Sequence, residues 1–144
     1  MDIFIDAPLD KETLSRLIDP ILKPSTHEIV SGWDKSELTC DYTIVLADGG
    51  GDFCRGIDLP MPLASNSQFV RELSQRISTD LHCQVLCDGS GLGHDDSPYW
   101  SLLFQSGTPF LVDDSYIEDF RNIKKDNLQI VQQLPSVTNK PAKL

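Results

Sequence analysis

The residues best able to do chemistry in this 144-residue chain are four cysteines, a His-Asp-Asp run and a glycine-spaced turn. Cys54, in Asp52-Phe53-Cys54-Arg55-Gly56, would make a thiol nucleophile if His94 served as its base. His94, Asp95 and Asp96 together are the residue types that ligate a divalent ion or orient a general base. Such an enzyme needs the two loops to meet, and nothing in the spacing brings them together. A solvated loop is the simpler expectation. Cys83 and Cys87 lie four apart on a predicted strand, where their sulfurs would sit about 13 Å apart and could not share one zinc. With Cys40 and Cys54 they read as free thiols packed as small hydrophobes. His27 and His82 flank predicted strands and read as structural. Gly89-x-Gly91-x-Gly93 follows a strand, as a phosphate loop does, but Pro98 and the strand-like run from Tyr99 to Phe104 come next instead of a helix. Asp88, Asp95 and Asp96 beside the glycines would repel phosphate. Neither a cofactor nor a metal is expected.

The carboxylates carry a different chemistry, that of attraction. Asp48, Asp52 and Asp58 fall in one long segment, 48–63, interrupted by Gly49, Gly50, Gly51, Gly56, Pro60 and Pro62. Asp88, Asp95 and Asp96 fall in a second, at whose exit stand Tyr99 and Trp100. Each segment leaves a predicted strand, so the two would form one anionic face if those strands run parallel. An aromatic among carboxylates suits a basic protein surface. The formal net charge is −10, and residues 1–120 hold 21 Asp or Glu against 7 Lys or Arg, a balance of −14. Residues 121–144 reverse it, with 5 basic residues against 1 acidic, a balance of +4. A body so charged repels nucleic acid and anionic membrane and attracts a basic partner. The competing explanation is solubility alone.

Those residues must be positioned by elements that the patterning predicts. A first strand runs from Asp2 to Asp6, with Ile3 and Ile5 facing one way and Phe4 the other. Asp10 caps a helix whose apolar face is Leu14, Leu17, Ile18, Ile21 and Leu22, and Pro20 predicts a kink or an end near Asp19. Strands follow at His27 to Trp33 and Thr39 to Ala47, the second apolar on both faces and so expected to be central. Ser65 to Gln68 has capping-box spacing ahead of a helix bearing Phe69, Leu73, Ile77 and Leu81. Then come a strand from His82 to Cys87, a hairpin of Tyr99 to Gln105 with Pro109 to Val112, a short helix capped by Ser115, and a last strand from Leu128 to Leu134. This order predicts an α+β fold in one domain, residues 1–134, with a basic tail at 135–144. The sheet is expected to be antiparallel with both main helices on one face, a ferredoxin-like (split βαβ) core plus a C-terminal hairpin and short helix.

No apolar run reaches about 18 residues, so no membrane span is expected. The start, Met-Asp-Ile-Phe-Ile-Asp, lacks a basic n-region, which predicts a cytoplasmic protein. Phe69-Val70-Arg71-Glu72-Leu73, Leu81-His82-Cys83-Gln84-Val85-Leu86-Cys87-Asp88 and Pro98-Tyr99-Trp100-Ser101-Leu102-Leu103-Phe104 together resemble small bacterial proteins in which a helix feeds a strand, an acidic loop and a strand opening on an aromatic pair. Several of those are immunity proteins of contact-dependent or secretion-delivered toxin systems. The resemblance covers about a quarter of the chain and implies a cytosolic, non-catalytic binder of a toxin domain. A small enzyme using Cys54 or His94, Asp95 and Asp96 is the alternative from another class, and a chaperone or adaptor of a secreted effector is a third.

Overall fold

The three residues Ile3–Ile5 form strand β1 and are all buried, which is possible only if both faces of the sheet are covered. They are, by different parts of the chain. The structure, a computed structural model, describes residues 1–31 and 40–135. Ile3 and Ile5 join a core with helix α1 (Lys11–Leu22) and helix α3 (Ser67–Leu81), whereas Phe4 joins a second cluster with Phe53, Leu86, Leu103, Val112, Ile123 and Leu128. Alternation along β1 therefore splits its side chains between two cores, as the sequence predicts.

Eight strands form one sheet. They are β1, β2 (His27–Ser31), β3 (Tyr42–Gly50), β4 (Phe53–Asp58), β5 (Gln84–Asp88), β6 (Trp100–Gln105), β7 (Thr108–Asp113) and β8 (Gln129–Gln133). Their spatial order is β2-β3-β4-β1-β5-β6-β7-β8, with β2 and β3 parallel and every other pair antiparallel. The fold is thus α+β, and its sheet is mixed, not wholly antiparallel as expected. Trp33 and residues 136–144, which include nearly all of the expected basic tail, lie outside the described residues.

The expected long loop at 48–63 is mostly β4 and a one-turn helix, α2 (Met61–Ala64). Its glycines are not slack. Gly51, at φ +66°, turns β3 into β4 in two residues, and a Cβ on Gly50 would collide with the backbone carbonyl of Arg121. The glycines let residues 121–123 lie directly on the hairpin. There the Asp52 amide donates to Ile123 O at 2.8 Å, and the Lys125 amide donates to the Asp52 carboxylate at 2.8 Å.

Several local expectations shift. Helix α1 runs through Pro20 to Leu22, because Pro20 sits in its last turn on the exposed side. The cap of α3 is Asn66, whose side chain accepts from the Phe69 amide at 3.1 Å; Ser65 instead donates to Met61 O. Such a cap contributes about 1 kcal/mol. β3 is not central, and only Ile44 and Leu46 of its apolar run are buried. The strands buried on both faces are β1, β5 and β6, where the second cluster covers the sheet. No α-helix follows Ser115; the chain makes turns there and a 3-10 turn at Lys125–Asn127. Among the described residues no helix is long and apolar enough to cross a membrane.

Candidate functional site

Strand direction decides which carboxylates meet. Ile3 lies between Ile57 and Cys87, and Ile5 between Arg55 and Val85. Asp58 and Asp88 therefore end their strands at the Asp2 end of β1. Asp88 is opposite Ser101, and Trp100 is opposite Asp113, so the turn of residues 89–99 and Asp114 belong to the same end. Asp48 pairs in register with Arg55, and Asp52 lies beyond it in the hairpin turn, at the Asp6 end. The expected single face across the two segments does not form. The unforeseen strand β4 reverses the chain once more, so β3 and β5 run in opposite directions and their carboxyl ends point apart.

Six of the eight candidate residues thus share the Asp2 end, and two do not. Asp48 pairs with Arg55 at 2.8 Å, and Asp52 staples the 121–125 segment. Trp100 is buried and is no surface anchor: its indole N–H donates to Asp95 at 2.9 Å, and His94 meets its ring edge-on at 5.1 Å. Tyr99, one residue earlier, points outward with half its surface exposed. The amide of Ser97 and then the indole of Trp100 hold the Asp95 carboxyl below its ordinary range. Gly93 packs on the Trp100 ring and Gly91 takes φ +87°, so this turn spends its glycines on the indole and on chain reversal.

Asp114 is a residue the sequence reading overlooked. It is buried, it accepts a hydrogen bond from the hydroxyl of Ser101, and burial pushes its carboxyl above the ordinary range. The available signal was the pair Asp113-Asp114 stopping the apolar run of β7. Asp2, Asp58, Asp88 and Asp114 all open onto one cleft of about 740 Å³, whose apolar wall includes Phe4, Val70, Leu86 and Phe120. Phe4 and Phe120 face each other with ring centroids 6.1 Å apart. Asp58 also holds the Met1 ammonium at 3.1 Å.

The chain matches no family model, no curated protein and no solved structure. What the arrangement can do must be read from its own geometry.

Cys54 is exposed on β4 near the Asp6 end, and His94 stands in the turn at the Asp2 end, so the thiol and the imidazole do not converge. His94 pairs instead with its neighbour Asp95 at 3.4 Å. Among the described residues no three His, Cys, Asp or Glu side chains are grouped to hold a metal ion. All four cysteines are free thiols. Burial drives Cys83 and Cys87 up to about 12, so both remain neutral. Cys54, exposed, and Cys40, half-buried, depart from the expectation that every thiol is buried.

Proposed function

We propose that this chain is a cytoplasmic binding protein that docks the Asp2 end of its sheet on a basic protein surface, and that it serves as an immunity protein neutralising a toxin domain. The observation that carries the reading is that Asp58, Asp88, Asp95, Asp96 and exposed Tyr99 fall at one end of the sheet, where Asp58 and Asp88 also line a cleft with Asp114. An anionic rim steers a cationic partner from a distance, and an outward aromatic gives it an apolar anchor. Asp48 and Asp52 are left out of the surface. The immunity role rests on the resemblance of the α3–β5–β6 segment, and four free thiols suit a reducing cytoplasm. For the fold we take β3, β4, β1 and β5, with α1 and α3, as a ferredoxin-like core; its support is that α3 leads from β4 to β5 with β1 between them.

The test is co-expression with the product of the adjacent gene, followed by co-purification and a growth-rescue assay. Asp95→Lys with Asp96→Lys should abolish capture and rescue, whereas Asp48→Lys should leave both intact. Equal loss from the two ends, or no loss from either, would sink the assignment. A captured partner that is harmless when expressed alone would turn the reading towards a chaperone.

A further inference from the structure

We infer that the cleft at the Asp2 end is an arginine receptor: it takes one arginine side chain of the partner, with the guanidinium at the carboxylate rim and the stem against the apolar wall. The inference rests on the binding reading above and names the group that reading would recognise. The volume of about 740 Å³ lies within the roughly 300–1,000 Å³ of sites that enclose organic ligands. Phe120 supplies the accessible apolar surface of its wall, whereas Phe4 and Leu86, which also line it, are buried. Its charge comes from Asp58 and Asp88, which end β4 and β5, and from Asp2 and Asp114, which stand just before β1 and just after β7.

The spread of those carboxylates selects among cations. Among the described residues no three His, Cys, Asp or Glu side chains are grouped as a metal ion would need, and these carboxylates lie on different strands. A guanidinium presents five donors on a planar fork and reaches acceptors on different strands at once. Its flat face also stacks on an aromatic ring, and Phe120 is nearly half exposed at the cleft wall. Two cations already border the space. The Met1 ammonium pairs with Asp58 at 3.1 Å, and Arg121 pairs through its Nε with Asp119 at 3.1 Å. Asp88 is exposed and accepts from the Ser90 hydroxyl through Oδ1 at 2.8 Å, so its second oxygen is placed to carry the main contact.

The experiment titrates N-acetyl-arginine amide into the isotope-labelled full chain and follows backbone amide shifts. Saturable shifts are expected at Leu86, Asp88 and Ser101. N-acetyl-norleucine amide, which keeps the stem and lacks the charge, should bind at least about tenfold more weakly. Asp88→Asn, which preserves the turn hydrogen bond, should weaken the arginine probe by about tenfold, and Phe120→Ala by several-fold. Asp48→Asn should change nothing. The inference falls if no shift saturates, if norleucine amide binds as well as arginine amide, or if Asp88→Asn has no effect. The two readings fail separately. Loss of partner capture in the Asp95/Asp96 double variant, without arginine binding, would leave the docking end and remove the receptor. Arginine binding in a chain whose partner ignores the double variant would remove the docking end.

Discussion

The four cysteines show how position, not residue type, sets chemistry. Cys83 and Cys87 are buried beside α3, and the thiolate is disfavoured in both because burial strips its hydration. Cys54 is exposed and Cys40 is half-buried, donating to Tyr42 O. A thiol reagent at neutral pH should therefore label Cys54 first and Cys40 more slowly, while Cys83 and Cys87 react only as fast as the chain unfolds. A time course with mass mapping checks this, and early labelling of Cys87 would contradict the packing described. Asp114 is the other residue whose surroundings govern its proton. Its carboxyl titrates above the ordinary range because it is buried, with the Ser101 bond pulling the other way and Asp113 and Asp88 adding repulsion. The folded state thus holds a proton that the unfolded chain has released, so stability falls as pH rises through the interval between the two values. Asp114→Asn keeps an acceptor for Ser101 and has no proton to lose. Its stability relative to the natural chain should therefore grow as pH rises from the ordinary Asp range, about 4, and level off once the pH passes the raised folded-state value. Urea unfolding across that range reads the effect, and a difference that shrinks with rising pH would reverse the assignment.

At the scale of elements, the decisive feature is the β3–β4 hairpin and the strap that crosses it. Gly50 leaves room for the carbonyl of Arg121, and a methyl group there would occupy the same space as backbone. Gly50→Ala should cost about 1–3 kcal/mol, because the strap can only lift away or bend. Lifting would uncover Ile123 and Phe53, both fully buried. Faster amide exchange at Asp52 and Lys125, the two amides of the clasp, would accompany the lost stability; an unchanged urea midpoint would show that the strap has slack. The same hairpin explains what the sequence concealed. Helices α1 and α3 were legible because their apolar residues recur at helical spacing; the cap of α1 is Asp10 as expected, and that of α3 is Asn66, one residue past the expected Ser65. The β6–β7 hairpin was legible because Ser106-Gly107 is a short turn between apolar runs, and both residues do take positive φ. β4 was not legible. Its Phe-Cys-Arg-Gly-Ile-Asp lies among breakers, and the glycines just before it, Gly50 and Gly51, answer to Arg121 and Ile123, far away in sequence, which no local pattern records. Missing one strand was enough to send Asp48 and Asp52 to the wrong end of the candidate surface. The acidic turn at 88–98 was found because it is local in composition; Asp114 was missed because its importance comes from burial against Ser101.

Across the whole molecule, salt should act with opposite signs on folding and on association. The described ion pairs are mostly exposed, and pairs of that kind contribute about 0–1 kcal/mol each. Against them stands the self-repulsion of a body carrying −14 over residues 1–120, concentrated further where Asp58, Asp88, Asp95, Asp96, Asp113 and Asp114 share one end of the sheet. Screening weakens both, but the unpaired excess is the larger quantity, so the midpoint of thermal unfolding should rise as NaCl increases from about 20 mM to about 0.5 M. Over the same range the association rate with a basic partner should fall steeply while dissociation changes little, because the rim charges act mainly before contact. The Asp95→Lys, Asp96→Lys chain should lose much of both responses: a smaller gain in melting temperature with salt, and a flat association rate. Calorimetry and stopped-flow association measure the two separately. If salt lowered the melting temperature of the natural chain, pairs such as Lys125 with Asp6 would outweigh the repulsion, and the carboxylates at the Asp2 end would be a packed network with little charge left over for a partner.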